Sequence, residues 1–105
     1  MSESNSSQPE SIDSLREEID RLDSELLGIF NRRANLALQI GQIKKTRGLP
    51  VYDPSREKRI FERMKSANRG PLEDGAVVRL FERVIDESRR LERIMTHPEE
   101  PGEEQ

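Results

Sequence analysis

The sequence predicts an all-α chain, and three observations carry that prediction. Apolar residues recur at helical spacing in three segments, and no stretch of useful length alternates as a strand does. There is no internal repeat. Charged residues make up 37% and aromatic residues 4%, a balance that suits solvated helices better than a sandwich or barrel. With 105 residues there is room for one domain.

The first segment dominates the chain. Ile12, Leu15, Ile19, Leu22, Leu26, Ile29, Leu36, Ile40 and Ile43 recur in steps of three and four, with one step left open and occupied by Arg33. This spacing predicts a helix over Ile12 to Lys45. Ser11 is placed to cap it. Acids come early (Asp13, Glu17, Glu18) and bases late (Lys44, Lys45, Arg47), as the helix dipole favours. Gly48 and Pro50 end it. Such a helix would run roughly 50 Å, well beyond the ~30 Å of a small domain. Part of its stripe must therefore pack outside a compact monomer, and a second copy of the chain is the most economical partner.

Asp53-Pro54 is a strong helix start, because Asp can cap free amides while Pro fits the first helical position. The second helix is predicted from Pro54 to about Ala67. Its inner face is Ile60, Phe61 and Met64, with Arg56 and Glu57 one turn earlier on the same side. Asn68-Arg69-Gly70-Pro71 closes it. A third helix is predicted from about Glu73 to Met95 on the series Val77, Val78, Phe81, Val84, Ile85, Leu91, Ile94 and Met95, with Ser88 and Glu92 inside that series. Residues 1–10 and 97–105 are polar or rich in Pro, Gly and Glu, and read as disordered tails around a domain spanning 11–96.

Composition narrows the function classes. There is no cysteine, so neither a disulfide scaffold nor a thiolate metal site is available, and the single histidine, His97, cannot make a metal site. No apolar run reaches the length of a signal-peptide core or a membrane span, and the expectation is a soluble cytoplasmic protein that binds no membrane. The net charge of -3, with 18 Lys and Arg interleaved with 21 Asp and Glu, argues against a nucleic-acid partner.

The informative residues are the polar ones in apolar stripes. Lys44 lies eleven residues beyond Arg33, within about 20° of it around an ideal helix and roughly 16 Å further along, so both cations face inward. Singly, each such residue has a plainer role. Arg33 could set the specificity of a dimer seam or pair with an acid across it, Lys44 could meet the helix dipole, and Arg56 and Glu57 could be a solvated first turn. Asp53 is most simply a cap, and Ser88 could bond back to its own helix. Glu92 is harder to dismiss, since a carboxylate on an apolar face costs several kcal/mol unless paired or protonated. Taken together, inward cations, hydrogen-bonding acids and a Ser on three helices that must pack describe a buried polar pocket for a small anion carrying hydroxyl groups.

The runs LREEIDRLDSELLGIFNRRANLALQIGQIKK, PVYDPSRE and LFERVIDESRRLE, which together reach from Leu15 to Glu92, resemble the all-helical, type II chorismate mutases of the AroQ class. The Arg, Lys, Asp-x-x-Arg-Glu and Ser positions fall at that family's spacings on all three helices. The resemblance implies an intertwined homodimer of three-helix chains with two active sites, each completed by Arg16 from the partner's first helix. Helical geometry agrees with that assignment. Arg16 and Arg33 are about 26 Å apart along one helix and some 100° around it, so one chain cannot present both to one small ligand.

The implied reaction is the pericyclic rearrangement of chorismate to prephenate, on the route to phenylalanine and tyrosine, with no cofactor and no metal. Catalysis then comes from holding the compact reactive conformer and from donors aimed at the breaking ether bond. By resemblance, Arg16 of the partner chain, Arg33 and Arg56 bind the two carboxylates, with Ser88 assisting. Lys44 donates to the ether oxygen, Glu57 accepts from the ring hydroxyl, and Asp53 contributes near that hydroxyl. Glu92 stands where the commonest bacterial pattern has Gln beside that lysine. A carboxylate cannot donate, so this role requires Glu92 to be held protonated by burial. Isochorismate-pyruvate lyase chemistry in the same fold, a non-catalytic helical dimerisation module and a regulatory nucleic-acid binder are the alternatives.

Overall fold

A computed structural model of the protein describes residues 11–96. It contains three α-helices in the order expected, α1 over Ile12–Arg47, α2 over Pro54–Ala67 and α3 over Asp74–Thr96. No strand occurs among the described residues. The two predicted tails lie outside the described residues.

Local chemistry sets each helix end. Ser11 caps α1, with its Oγ accepting from Ser14 N at 3.0 Å and its carbonyl from Leu15 N at 3.1 Å. At the other end Leu49 N donates to Lys44 O at 2.8 Å and Gly48 N to Lys45 O at 3.2 Å, with Gly48 at φ 70. This pair of bonds is a Schellman closure, and it carries α1 to Arg47, two residues past the predicted end. A Cβ added at Gly48 would meet nothing within 4 Å, so the cost of a side chain there is in the backbone alone. Gly48→Ala is expected to lower stability by about 1 kcal/mol in a denaturant titration. An unchanged midpoint would mean that the left-handed residue contributes nothing to ending α1.

Asp53 caps α2 as predicted, its Oδ1 accepting from Arg56 N and from Ser55 Oγ, both at 3.1 Å. Those two bonds hold its carboxyl below the usual range. Asn68 organises the next turn. Its Nδ2 donates to Leu72 O and to Asp74 Oδ1, each at 2.8 Å, while its Oδ1 accepts from Gly70 N at 3.0 Å. Glu73 then serves as the residue before α3, accepting from Val77 N at 3.1 Å, so the helix proper starts one residue later than the predicted Glu73.

The described residues divide into two compact units, one up to Arg32 and one from Arg33 onward, with the division falling inside α1. In the second unit α2 and α3 pack together, and the core is Ala37, Ile60, Val77 and Ile85. Gly41, one turn after Ala37 on the same face of α1, is also buried. Phe61 and Met64, the rest of the predicted inner face of α2, are half-buried. In the first unit no described residue is buried. The unit by itself leaves its stripe open, with Ile12, Leu15, Ile19, Leu22, Leu26 and Ile29 all exposed. Among the described residues, no helix is long and apolar enough to cross a membrane.

Candidate active site

The second unit holds a cavity of about 370 Å³, within the size range of small-molecule sites. The part of α1 in this unit lines it with Arg33, Leu36, Ala37, Ile40 and Lys44, which steps of three and four place along one face. Val51 and Asp53 enter from the link between α1 and α2, Arg56, Glu57 and Ile60 from the first turns of α2, and Ile85, Ser88, Arg89 and Glu92 from one face of α3. Seven of the eight predicted site residues, Arg33, Lys44, Asp53, Arg56, Glu57, Ser88 and Glu92, therefore meet at one cavity. The eighth, Arg16, belongs to the first unit and is exposed.

The polar groups are held by bonds between elements. Arg33 Nη1 donates to Ser88 Oγ at 3.0 Å, so Ser88 serves a neighbouring helix rather than only its own. Lys44 Nζ donates to the backbone carbonyl of Val51 at 2.9 Å, which fixes the ammonium at the wall of the cavity. Glu57 is pinned from α3, its Oε2 accepting from Arg89 Nη1. Asp53 and Arg56 are the more open members. Both are exposed, and the Asp53 side chain is engaged in capping.

Electrostatics divides the charged residues. Burial lowers the affinity of Arg33 for its proton, and the like charges of Arg56 and Arg63 add to this, with Glu92 opposing. A guanidinium remains charged under these conditions, so the cost is borne as crowding of positive charge that an anion would relieve. Glu92 is 8% exposed, and burial raises its pKa, with Lys44, Arg33 and Arg89 opposing in that order. The stability consequence has a definite sign. Because the fold favours the protonated acid, Glu92 contributes stability below its unfolded pKa of about 4.3, and this is lost as pH rises through its raised folded value.

Arg89 was not among the predicted site residues. It lines the cavity, pairs with Glu57 on α2 and Asp86 on its own helix, and lies with its guanidinium carbon 4.8 Å from the ring centroid of Tyr52. The sequence held a signal for it, since Arg89 stands four residues after buried Ile85 and three before buried Glu92. Leu36, Ile40, Ile60 and Ile85 form the apolar part of the wall. Among the described residues no cluster of three or more His, Cys, Asp or Glu could hold a metal ion.

Comparison with known proteins adds an independent line. Residues 15–93 match the family model described as "Chorismate mutase type II". The bifunctional chorismate mutase/prephenate dehydratase of Aquifex aeolicus is 39% identical over 88 residues, covering 80% of this chain and 24% of that protein. The chain thus spans about a quarter of the length of the bifunctional relatives it matches. A solved chorismate mutase from Thermus thermophilus superposes with a TM-score of 0.78 at 36% identity, covering 80% of this chain and 96% of that one. The chorismate mutase from Helicobacter pylori, solved in complex with prephenate, superposes with a TM-score of 0.73 at 32% identity, covering 78% and 89% of the two chains. With the family model spanning most of the chain and the cavity-lining residues inside the matched segment, this chain belongs to the type II chorismate mutase family.

Proposed function

We propose that the protein converts chorismate to prephenate in the cavity between α2, α3 and the second half of α1. The observation that carries this reading is the gathering of Arg33, Lys44, Arg56, Glu57, Ser88 and Glu92 on one small cavity in a chain of this family. The Helicobacter pylori relative bound to prephenate supports the same ligand class here.

The rearrangement is unimolecular and pericyclic, with one carbon–oxygen bond breaking as a carbon–carbon bond forms. The protein's task is then to select the compact conformer and to stabilise charge at the ether oxygen. Arg33 and Arg56 suit the two carboxylates, because a guanidinium can bond a carboxylate through two parallel N–H groups. Ser88, already bonded to Arg33, orients that guanidinium and can assist it. Lys44 is assigned to the ether oxygen, with the Val51 carbonyl holding its ammonium in place. Glu57 is assigned to the ring hydroxyl as an acceptor, held in place by Arg89. Asp53 stands near that hydroxyl while capping α2.

In this reading Glu92 is the second donor at the ether oxygen, in its protonated form. Activity is then expected to fall as pH rises through the Glu92 pKa, which burial places above the ordinary carboxylate range. Glu92→Gln, which donates at every pH, should flatten the profile. It should also raise the stability of the ligand-free protein at neutral pH, by removing an acid whose ionisation the fold disfavours. A wild-type profile already flat from acid to alkaline pH would remove Glu92 from this role.

The same reading makes the protein an intertwined homodimer in which Arg16 completes the partner's cavity. The open stripe on the first unit supports a second copy as the cover. Its six side chains are each about half exposed, and covering them is worth roughly 1 kcal/mol apiece. The domain is taken as residues 11–96, and the compartment as the cytoplasm.

The deciding experiment is to incubate the purified protein with chorismate and identify the product. Prephenate supports the mutase. Turnover of isochorismate alone, to salicylate and pyruvate, would assign the lyase chemistry. Inactivity on both would leave a helical dimerisation module.

A further inference from the structure

Arg89 joins three parts of the second unit, α2, α3 and the link after α1. Its Nη1 bonds Glu57 on α2, its Nη2 bonds Asp86 Oδ1 on α3 at 2.7 Å, and its face lies against Tyr52 in the link after α1. Arg89 and Glu57 are both well covered, with side chains 24% and 19% exposed. Each terminal nitrogen serves a carboxylate and one face of the plane meets an aromatic ring, so the group is committed to its neighbours. Tyr52 is flanked by Val51 and Asp53, which respectively fix Lys44 and cap α2.

Charge at the cavity gives this arrangement a consequence for binding. Its wall carries four cations, Arg33, Lys44, Arg56 and Arg89, against Asp53, Glu57 and Glu92. The cations outnumber the acids, as a site for a dicarboxylate requires. Removing Arg89 would lower that excess by one charge and leave Glu57 as an uncompensated carboxylate where the anion must enter.

We propose that Arg89 is a positioning and specificity-determining residue, which neutralises and orients Glu57 and holds the Tyr52 link against α3 so that the cavity accepts a dianion. This rests on the reading of the cavity as a chorismate site. Arg89 touches no reacting atom in this scheme and acts through Glu57 and Tyr52.

The test compares wild type with Arg89→Met and Arg89→Lys. Arg89→Met should raise KM for chorismate about tenfold, corresponding to about 1.4 kcal/mol, and lower kcat by less than about threefold. Arg89→Lys keeps the charge and should hold KM within about threefold of wild type. Tyr52 is the only tyrosine and there is no tryptophan, so near-ultraviolet circular dichroism of the ligand-free protein reports directly on the stack. That signal should weaken in Arg89→Met.

An unchanged KM in Arg89→Met, or a KM in Arg89→Lys raised as far as in Arg89→Met, would overturn the proposal. An unchanged Tyr52 signal would overturn the link to α3 whether or not the wild type turns over chorismate. Absence of wild-type turnover counts against the mutase reading, and the spectroscopic arm still decides the contact.

Discussion

Arg33→Ala is expected to lower kcat/KM for prephenate formation by about 10²–10³-fold while leaving the helical circular dichroism intact. Arg33 sits half-buried in the cavity wall, where its Nη1 reaches Ser88 Oγ at 3.0 Å and the charges of Arg56 and Arg63 crowd it. In the free protein this crowding is unfavourable, so removing the guanidinium relieves repulsion and the fold has no reason to fail. In the complex the same guanidinium meets a substrate carboxylate, and its loss removes both charge and orientation. Arg33→Lys should recover less than about a tenth of the lost activity, because a point charge on a flexible stem cannot reproduce the two-pronged contact or the bond to Ser88. A steady-state assay with both variants decides this. Near wild-type kcat/KM in Arg33→Ala would place the residue outside the chemistry and return it to a seam role.

The second large effect concerns Arg16. Arg16→Ala and Arg33→Ala should each be nearly inactive alone, and equal amounts unfolded and refolded together should regain about a quarter of wild-type activity. The fraction follows from symmetry. In a mixed dimer, the chain carrying Arg16→Ala keeps Arg33 in its own cavity and receives an intact Arg16 from its partner, so one of two sites is whole. Random pairing puts half the chains into such dimers. If Arg16 acted within its own chain, or not at all, the mixture would show no more than the mean of its two components. The mass of the refolded species, read by light scattering, ties any recovered activity to a dimer. The open stripe from Ile12 to Ile29 gives the physical reason for expecting one, since a helix that leaves six large apolar side chains in water has surface to bury.

Sequence and structure divided the work according to the range of the interactions involved. Helix ends were readable because caps are local. Ser11, the Asp53-Pro54 pair and Gly48 each act on amides or carbonyls within five residues of themselves. Seven polar residues that line the cavity were singled out in the sequence, Arg33, Ser88 and Glu92 among them because a polar interruption of an apolar stripe identifies itself wherever a helix must face a core. The same periodicity said that part of the α1 stripe must pack outside a compact monomer, and in the first unit its large apolar side chains from Ile12 to Ile29 are exposed.

The amino-acid sequence by itself determined the three helices, their order and half of the residues that line the cavity, because turn chemistry and helical periodicity are properties of neighbouring residues. Tertiary structure alone decided which side chain meets which. Arg33 finds Ser88 across 55 positions and Arg89 finds Glu57 across 32, pairings that no helical repeat encodes. They exist because docking three helices brings their faces to one cavity, where desolvation makes each charge seek whatever partner the packing puts within reach.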